Sequence, residues 1–472
     1  MSPPLGSGIG VPYDTIIIGA GLSGFAAGIR LAHFEKSVCI LERHYTIGGL
    51  NSFYRLRNRN HDVGLHAVTN YAAAGSKTGP LSKLLRQLRL SWDDFALCPQ
   101  IESSVRFPDR LLRFNNDLEF FRHQVHSQFP SQKDGFEQLL SMIVEHNELH
   151  LTGDTASARE ILQSVLTDPV LIDMLFCPLM FYGSPTKNDM DFSQFVIMFK
   201  AIFEQGFGRP FKGIRPLMKT LVNRFRKLGG ELKLRSGVQK ILTRGNRAVG
   251  VMLDSGEVLE ADNVLSSAGS LETLQLCDQE VPATDPALTP GEISFIETIY
   301  SLDRLPAELE HEQTVVFFND TDRFHYQPPN DACDVRSGII CSPNNFVYPA
   351  DHVEEGRIRV TALANPGYWS DLPEPEYISQ KEHWGNQILS AALKHMPDFR
   401  PHILDTDIFT PRTITKFTGH VNGAVYGSPH KVRDGHTHLQ NLFLCGTDQG
   451  FVGIVGALLS GITIANLHLL KP

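Results

Sequence analysis

Six residues, Gly19-Ala20-Gly21-Leu22-Ser23-Gly24, constrain this chain more than any other feature. They follow a short β-branched apolar run, Asp14 to Ile18, and open a helical segment reaching about His33. A second apolar strand, Val38 to Leu41, then ends at Glu42. Strand, glycine turn, helix and strand form one βαβ unit. In G-x-G-x-x-G the first glycine permits the tight turn, the second lets a pyrophosphate approach the backbone, and the third lets helix and strand pack closely. The helix N-terminus adds free N–H groups and positive dipole charge, so Leu22 and Ser23 are expected to join the three glycines in holding phosphates. Glu42 lies 18 residues past Gly24, where an acid accepts hydrogen bonds from adenosine ribose hydroxyls. That acid also argues against an NADP 2′-phosphate at this site.

The rest of the chain must house this unit. At 472 residues it has room for two to three structural units, and 42% hydrophobic with 20% charged residues describes an ordinary globular protein. A net charge of −9 with no block of five like charges lacks the footprint of a nucleic-acid binder. Seven cysteines, odd in number and never spaced C-x-x-C, indicate neither a disulfide framework nor a zinc site, and no metal is expected. They point to a reducing, cytoplasmic compartment. Met1 to Pro12 carries neither signal-peptide nor transit-peptide features and reads as a loose tail. No run reaches the ~18 apolar residues of a membrane span; Val170 to Gly183 comes nearest but carries Asp173 and Pro178.

Between Leu81 and Lys200 the pattern predicts mainly helix, at 81–90, 118–128, 135–150 and 157–166. Phe192, Phe195, Val196, Phe199, Ile202 and Phe203 share one helix face. With Phe207 and Phe211 that face reads first as core, with an apolar tunnel or a membrane-surface contact as the alternative. Gly206 to Gly213 breaks the pattern. A helix over 214–228 ends at Gly229-Gly230, and short strands follow at 231–234, 238–242, 248–253 and 258–260. A second mixed segment covers 291–409, and the last helix begins near Gly453.

Further motifs carry a resemblance. Arg43 is followed by Ile47-Gly48-Gly49 and then by His61-Asp62-Val63-Gly64-Leu65-His66; near the C-terminus stand Leu444-Cys445-Gly446-Thr447-Asp448 and Gly453-Ile454-Val455-Gly456-Ala457. With these the chain resembles the phytoene desaturase, carotenoid isomerase and retinol saturase family of FAD-dependent oxidoreductases, within the flavin amine oxidase superfamily. His61 stands where that family has Phe. The resemblance covers both ends well and the middle loosely. It implies an α/β fold: a Rossmann-like FAD-binding domain, a parallel sheet plus β-meander, over 13–105, 206–290 and 411–472. A discontinuous α+β substrate-binding domain with a helical subdomain is implied for 106–205 and 291–410.

It also implies cofactor contacts at Arg43, Gly48, Gly49, Leu50, Gly64, Leu65 and His66, with the Val238 backbone on the adenine. Gly446 and Asp448 would meet the ribityl or phosphate region, and Gly453, Ile454 and Val455 would open a helix aimed at the flavin, where its dipole stabilises negative charge. Members of this branch desaturate, saturate or isomerise C=C bonds of long isoprenoids, so an apolar long-chain lipid is the implied substrate, met by a cytoplasmic enzyme at a membrane surface. Reaction at flavin N5 then needs only a proton handler. His66 is the first candidate, with Tyr426 and Lys416 behind it. Two rivals share the fold: an amine oxidase with an aromatic cage, and a prenyl-lipid escort protein without flavin. The escort forms lose the phosphate glycines and the C-terminal acid, whereas Gly19, Gly21, Gly24, Glu42 and Asp448 are all present here. No G-x-S-x-G, H-E-x-x-H or P-loop motif supports another chemistry. With no second G-x-G-x-x-G, the electron donor or acceptor stays open.

Overall fold

A computed structural model describes residues 11–146, 156–278, 285–349 and 355–470. The tail expected at the N-terminus falls outside these except for its last two residues, as does 147–150 of the helix expected at 135–150.

Tyr13–Ile18 buries Ile16 and Ile17 completely because it lies mid-sheet with partners on both edges. Five parallel strands run in the order Leu442–Leu444, Val258–Ser266, Tyr13–Ile18, Val38–Glu42 and Glu231–Leu234. Parallel strands covered on both faces read as continuous apolar runs, which is why Tyr13–Ile18 and Val38–Glu42 were visible in sequence. The first half of Val258–Ser266 pairs antiparallel with Arg247–Leu253, which pairs with Val238–Arg244, completing a meander. This strand runs past its expected end at Glu260, since its second half is held by long-range pairing. Helix Leu22–Ala32 packs against the C-terminal helix Gly453–Ile464 so closely that a Cβ on Gly461 would lie 2.0 Å from the Ser23 carbonyl oxygen.

The second sheet has seven strands in the order Ile403–Phe409, Ser294–Leu302, Gly356–Ala364, Ser337–Cys341, Val315–Asn319, Ser103–Phe107 and Arg110–Phe114. All neighbours are antiparallel except Val315–Asn319 beside Ser103–Phe107. Ser103–Phe107 and Arg110–Phe114 correct the mainly helical reading of 81–200. They form a hairpin about Pro108-Asp109, anchored by pairing to a strand two hundred residues away that no local pattern reveals. A domain boundary at residue 105 would fall inside the first of them, Ser103–Phe107.

Helices Leu118–Gln128, Lys133–Glu145, Ala158–Val165, Pro169–Gly183 and Phe192–Phe199 pack over one face of this sheet, and Lys200–Glu204 continues the last as a π-helical turn. The phenylalanine face is core: Phe195, Phe199, Phe203 and Phe207 are fully buried, and Phe203 stacks on Phe121 at 4.1 Å. Phe211 is half-buried beside Tyr348. Among the described residues no helix is long and apolar enough to cross a membrane. In Pro169–Gly183 the buried Asp173 carboxylate pairs with Arg159 and Arg323, each at 2.7 Å.

Candidate functional site

A cavity of about 840 Å³ runs from the glycine turn to the face of the second sheet. At its outer end the glycines divide their work. A Cβ on Gly24 would fall 2.2 Å from the Gly19 carbonyl oxygen, so this glycine serves helix–strand packing and does not line the cavity. Gly19, Gly21, Leu22 and Ser23 do line it, and a Cβ on Gly21 would meet no protein atom within 4 Å. The second glycine loop folds onto the first: the Gly48 amide donates to the Ala20 carbonyl at 2.9 Å with Gly48 at φ +108, a conformation that favours glycine. Glu42 accepts from the Ala20 amide at 3.0 Å with Oε2 and from the His44 amide at 2.9 Å with Oε1, which leaves lone pairs on both oxygens facing the cavity it lines.

Arg43, Gly48, Gly49, Leu50, Gly64 and Val238 line the same space, as do Gly446, Gly453 and Ile454 at the start of helix Gly453–Ile464. Glycine turn, open helix N-terminus and acid at the second strand's end together fit the FAD that the sequence implies.

Other expected contacts stand elsewhere. Val455 is fully buried in the core. Leu65 is buried too, its carbonyl accepting from Arg359 Nη1 and Arg209 Nη1, both at 2.9 Å. Asp448 is 2% exposed, and its carboxylate is taken by the backbone amides of Ser270 at 2.5 Å and Ser428 at 2.8 Å. Gly446 and Thr447, from the same motif, line the cavity where Asp448 does not. Lys431 approaches the same carboxylate at 3.6 Å and donates to the Tyr426 carbonyl at 2.5 Å. Burial pulls its ammonium down to about 8 against the pull of Asp448.

Of the three proton-handling candidates only one is placed for the task. Lys416 is exposed on helix Pro411–Thr418, outside the cavity, where its ammonium lies over the Phe417 ring. Tyr426 lines the cavity, but its hydroxyl donates to the Phe181 carbonyl and burial raises its pKa, so its proton is committed. His66 lines the inner end, with Nε2 3.0 Å from Glu297 Oε2 and 3.0 Å from Thr361 Oγ1.

Glu297 in turn accepts from Arg359 Nε through its other oxygen, and Thr361 donates to Glu297 Oε2 at 3.1 Å. Burial would raise the Glu297 carboxyl, but Arg359 and His66 bring it down to about 2, so it is an anion at neutral pH. Phe181, Tyr182, Phe295, Ile339 and Tyr426 complete this end. The Tyr182 hydroxyl is buried without a partner among the described residues, and its ring stacks on Phe207 at 5.1 Å. Sequence reasoning missed Glu297, Arg359 and Thr361. The sequence shows only a lone acid in Ser294–Leu302; it is the burial of all nine residues in the structure that requires this acid to be paired.

The family model described as flavin containing amine oxidoreductase matches residues 22–300. A chloroplastic prolycopene isomerase of an Oncidium hybrid cultivar is 23% identical over 96% of this chain and 83% of its own length. The all-trans-retinol 13,14-reductase of Danio rerio is 22% identical over 98% and 88%. The 4,4′-diaponeurosporene oxygenase of Staphylococcus haemolyticus is 23% identical over 87% and 86%. Among solved structures, an oxidoreductase from Methanosarcina mazei has a TM-score of 0.68 at 16% identity, covering 96% of this chain and 99% of that one. Putrescine oxidase bound to putrescine has a TM-score of 0.65 at 16% identity, covering 97% and 98%, and both structures share the fold.

Proposed function

The chain belongs to the flavin containing amine oxidoreductase family and is an FAD-dependent oxidoreductase, and from that premise we propose that its substrate is a polyene or other isoprenoid lipid. The reaction is desaturation, saturation or cis–trans isomerisation of carbon–carbon bonds. FAD, when bound, supplies hydride or electron exchange at N5. The chain's own part is to hold the cofactor at Gly19, Gly21, Leu22, Ser23, Glu42, Gly48, Gly49 and Gly453, to enclose an apolar chain, and to handle a proton at His66. In this reading the first sheet is the FAD-binding unit, and the second sheet with its helices is the substrate-binding unit.

The observation that carries the reading is the inner end of the cavity. Its walls are aromatic and aliphatic, and its one deeply buried carboxylate, Glu297, is already spent on Arg359, Thr361 and His66. Asp407, which also lines the cavity, already accepts from the Tyr54 hydroxyl at 2.6 Å and from the Ile408 amide at 3.0 Å, so among the described residues an ammonium substrate meets at this end only carboxylates that already have partners, whereas an apolar chain loses little on entering. The relatives named for prolycopene, retinol and diaponeurosporene, each aligned over most of this chain, support the same class. Cytoplasmic residence with contact at a membrane surface completes the proposal, since such substrates partition into lipid.

Anaerobic spectroscopy tests it. Enzyme reduced with dithionite should recover its oxidised flavin bands on addition of a retinoid or carotenoid, or convert the polyene to a product resolved by chromatography. Reduction by an alkyl amine with no response to polyenes would replace this reading with an amine oxidase. Failure of the purified chain to take up FAD would return the lipid-escort reading.

A further inference from the structure

The partners of His66 determine which of its two ring nitrogens is basic. Glu297 is 2% exposed and Arg359 equally so, and the two form a buried ion pair. An ionised carboxylate only accepts hydrogen bonds. Glu297 Oε2 therefore leaves His66 Nε2, 3.0 Å away, the role of donor. Thr361 Oγ1 is 3.0 Å from the same nitrogen and sends its own hydrogen to Glu297 at 3.1 Å, so it too faces Nε2 with lone pairs. A neutral imidazole carries one ring proton. With that proton on Nε2, Nδ1 is the unprotonated nitrogen; among the described residues the ring's hydrogen bonds are all made by Nε2, and the ring lines the cavity.

We infer that Glu297 and Thr361, with Arg359 neutralising the carboxylate, lock His66 in the Nε2–H tautomer and present Nδ1 to the substrate, which makes Glu297 a positioning residue for proton transfer. The inference rests on the reading of the inner cavity as the place of reaction. In the step itself a substrate C–H bond breaks with its electron pair left on the substrate carbon, the proton forms an N–H bond at Nδ1, and the other proton stays on Nε2, donated to Glu297. The imidazolium so formed stands against the Glu297 carboxylate, and the reverse transfer restores the neutral ring.

Charges from other elements do not compete for the ring. Arg209 Nη1 and the Cys341 thiol address the His66 carbonyl, at 3.2 Å and 3.6 Å. Burial pushes that thiol up to about 12, and Tyr182, whose ring centre is 6.4 Å from that of His66, is likewise held neutral. Among the described residues the charged groups around His66 are thus Glu297 and Arg359, with Arg209 and its partner Asp62 on the backbone side.

Imidazole nitrogen NMR of the holoenzyme labelled with ¹⁵N-histidine reads the tautomer without any substrate. His66→Gln identifies the His66 signals among the 19 histidines by their loss. The expected result is a proton on Nε2 and an unprotonated Nδ1 in the neutral ring. In Glu297→Gln the anion is gone, so the Nε2–H signal should give way to a mixture of both tautomers, with partial recovery in Glu297→Asp. His66→Gln should lower turnover by about 10²–10⁴-fold. A wild-type His66 carrying its proton on Nδ1 overturns the inference, whether or not Glu297→Gln folds. So does an Nε2–H tautomer left undisturbed in Glu297→Gln. A wild type with the Nε2–H tautomer that converts no polyene overturns the reaction assigned above and upholds the tautomer. Polyene turnover with the Nδ1–H tautomer does the reverse.

Discussion

Arg209 donates to Asp62 at 2.6 Å in an almost dry contact, and its other terminal nitrogen holds the carbonyls of Leu65 at 2.9 Å and His66 at 3.2 Å. The two side chains are 5% and 12% exposed, and Asp62 also accepts from the Ile214 amide at 3.1 Å. This clamp sets the path of the segment that carries His66. Removing one partner strands a buried charge, so Arg209→Met should destabilise the protein by about 3–5 kcal/mol. Asp62→Asn combined with Arg209→Met should recover part of that loss. Urea denaturation of the two variants checks the order, and both should lose turnover because the His66 backbone is released.

Glu42 should control affinity for FAD more than the fold. Its carboxylate keeps free lone pairs toward the cavity while bridging the Ala20 and His44 amides. Hydrogen bonds to a charged group contribute about 1.5–3 kcal/mol each, so Glu42→Ala should weaken FAD binding by about 10–100-fold. Glu42→Gln, which keeps one acceptor, should fall between. Fluorescence titration of the apoprotein with FAD measures both.

The outer end of the site was legible because its determinants are local. Strand, three glycines, helix and acid lie within Tyr13–Glu42, and each does its work through backbone geometry that the residue type dictates. The inner end was not. His66 was recognisable, but Glu297, Arg359 and Thr361 reach it only through the pairing of Ser294–Leu302 with Gly356–Ala364, in which Glu297 faces Thr361 and Ile299 faces Arg359. Asp448 shows the opposite error. The motif holding it is in place, yet its carboxylate ties the loops at Ser270 and Ser428 together instead of facing the cavity. Lys416 misled because residue type says nothing about which face of a short helix meets solvent.

Phe203 separates the core reading of the phenylalanine helix from a membrane-facing one. It is fully buried, stacks on Phe121 and touches the rings of Phe114 and Phe199. Phe203→Ala should cost about 3–5 kcal/mol, the price of an unfilled aromatic site. Flavin content per chain and flotation with liposomes should stay as in the wild type, because neither the cofactor residues nor an exposed surface is touched. Unchanged stability with lost flotation would reverse the assignment.

Acid should expose the Glu297 ion pair. Burial raises this carboxyl, while Arg359 and His66 more than offset that and hold it at about 2, against 4.5 for a free glutamate. The folded value is the depressed one, so between about 4.5 and 2 the unfolded chain binds more protons. Stability from this group is therefore complete above about 4.5 and is lost as pH falls toward 2. The separation of the two values corresponds to something on the order of 3 kcal/mol. Glu297→Gln has no such proton to take up. The stability difference between wild type and Glu297→Gln, followed by denaturation at several pH values from 6 down to about 3, should shrink steadily below about 4.5 in favour of the variant. Parallel curves over that interval would mean that Glu297 binds its proton alike in the folded and unfolded chain, and a difference that instead grows in favour of the wild type as pH falls from 6 would mean that Glu297 is already protonated in the folded enzyme, with His66 facing a neutral acid in place of an anion.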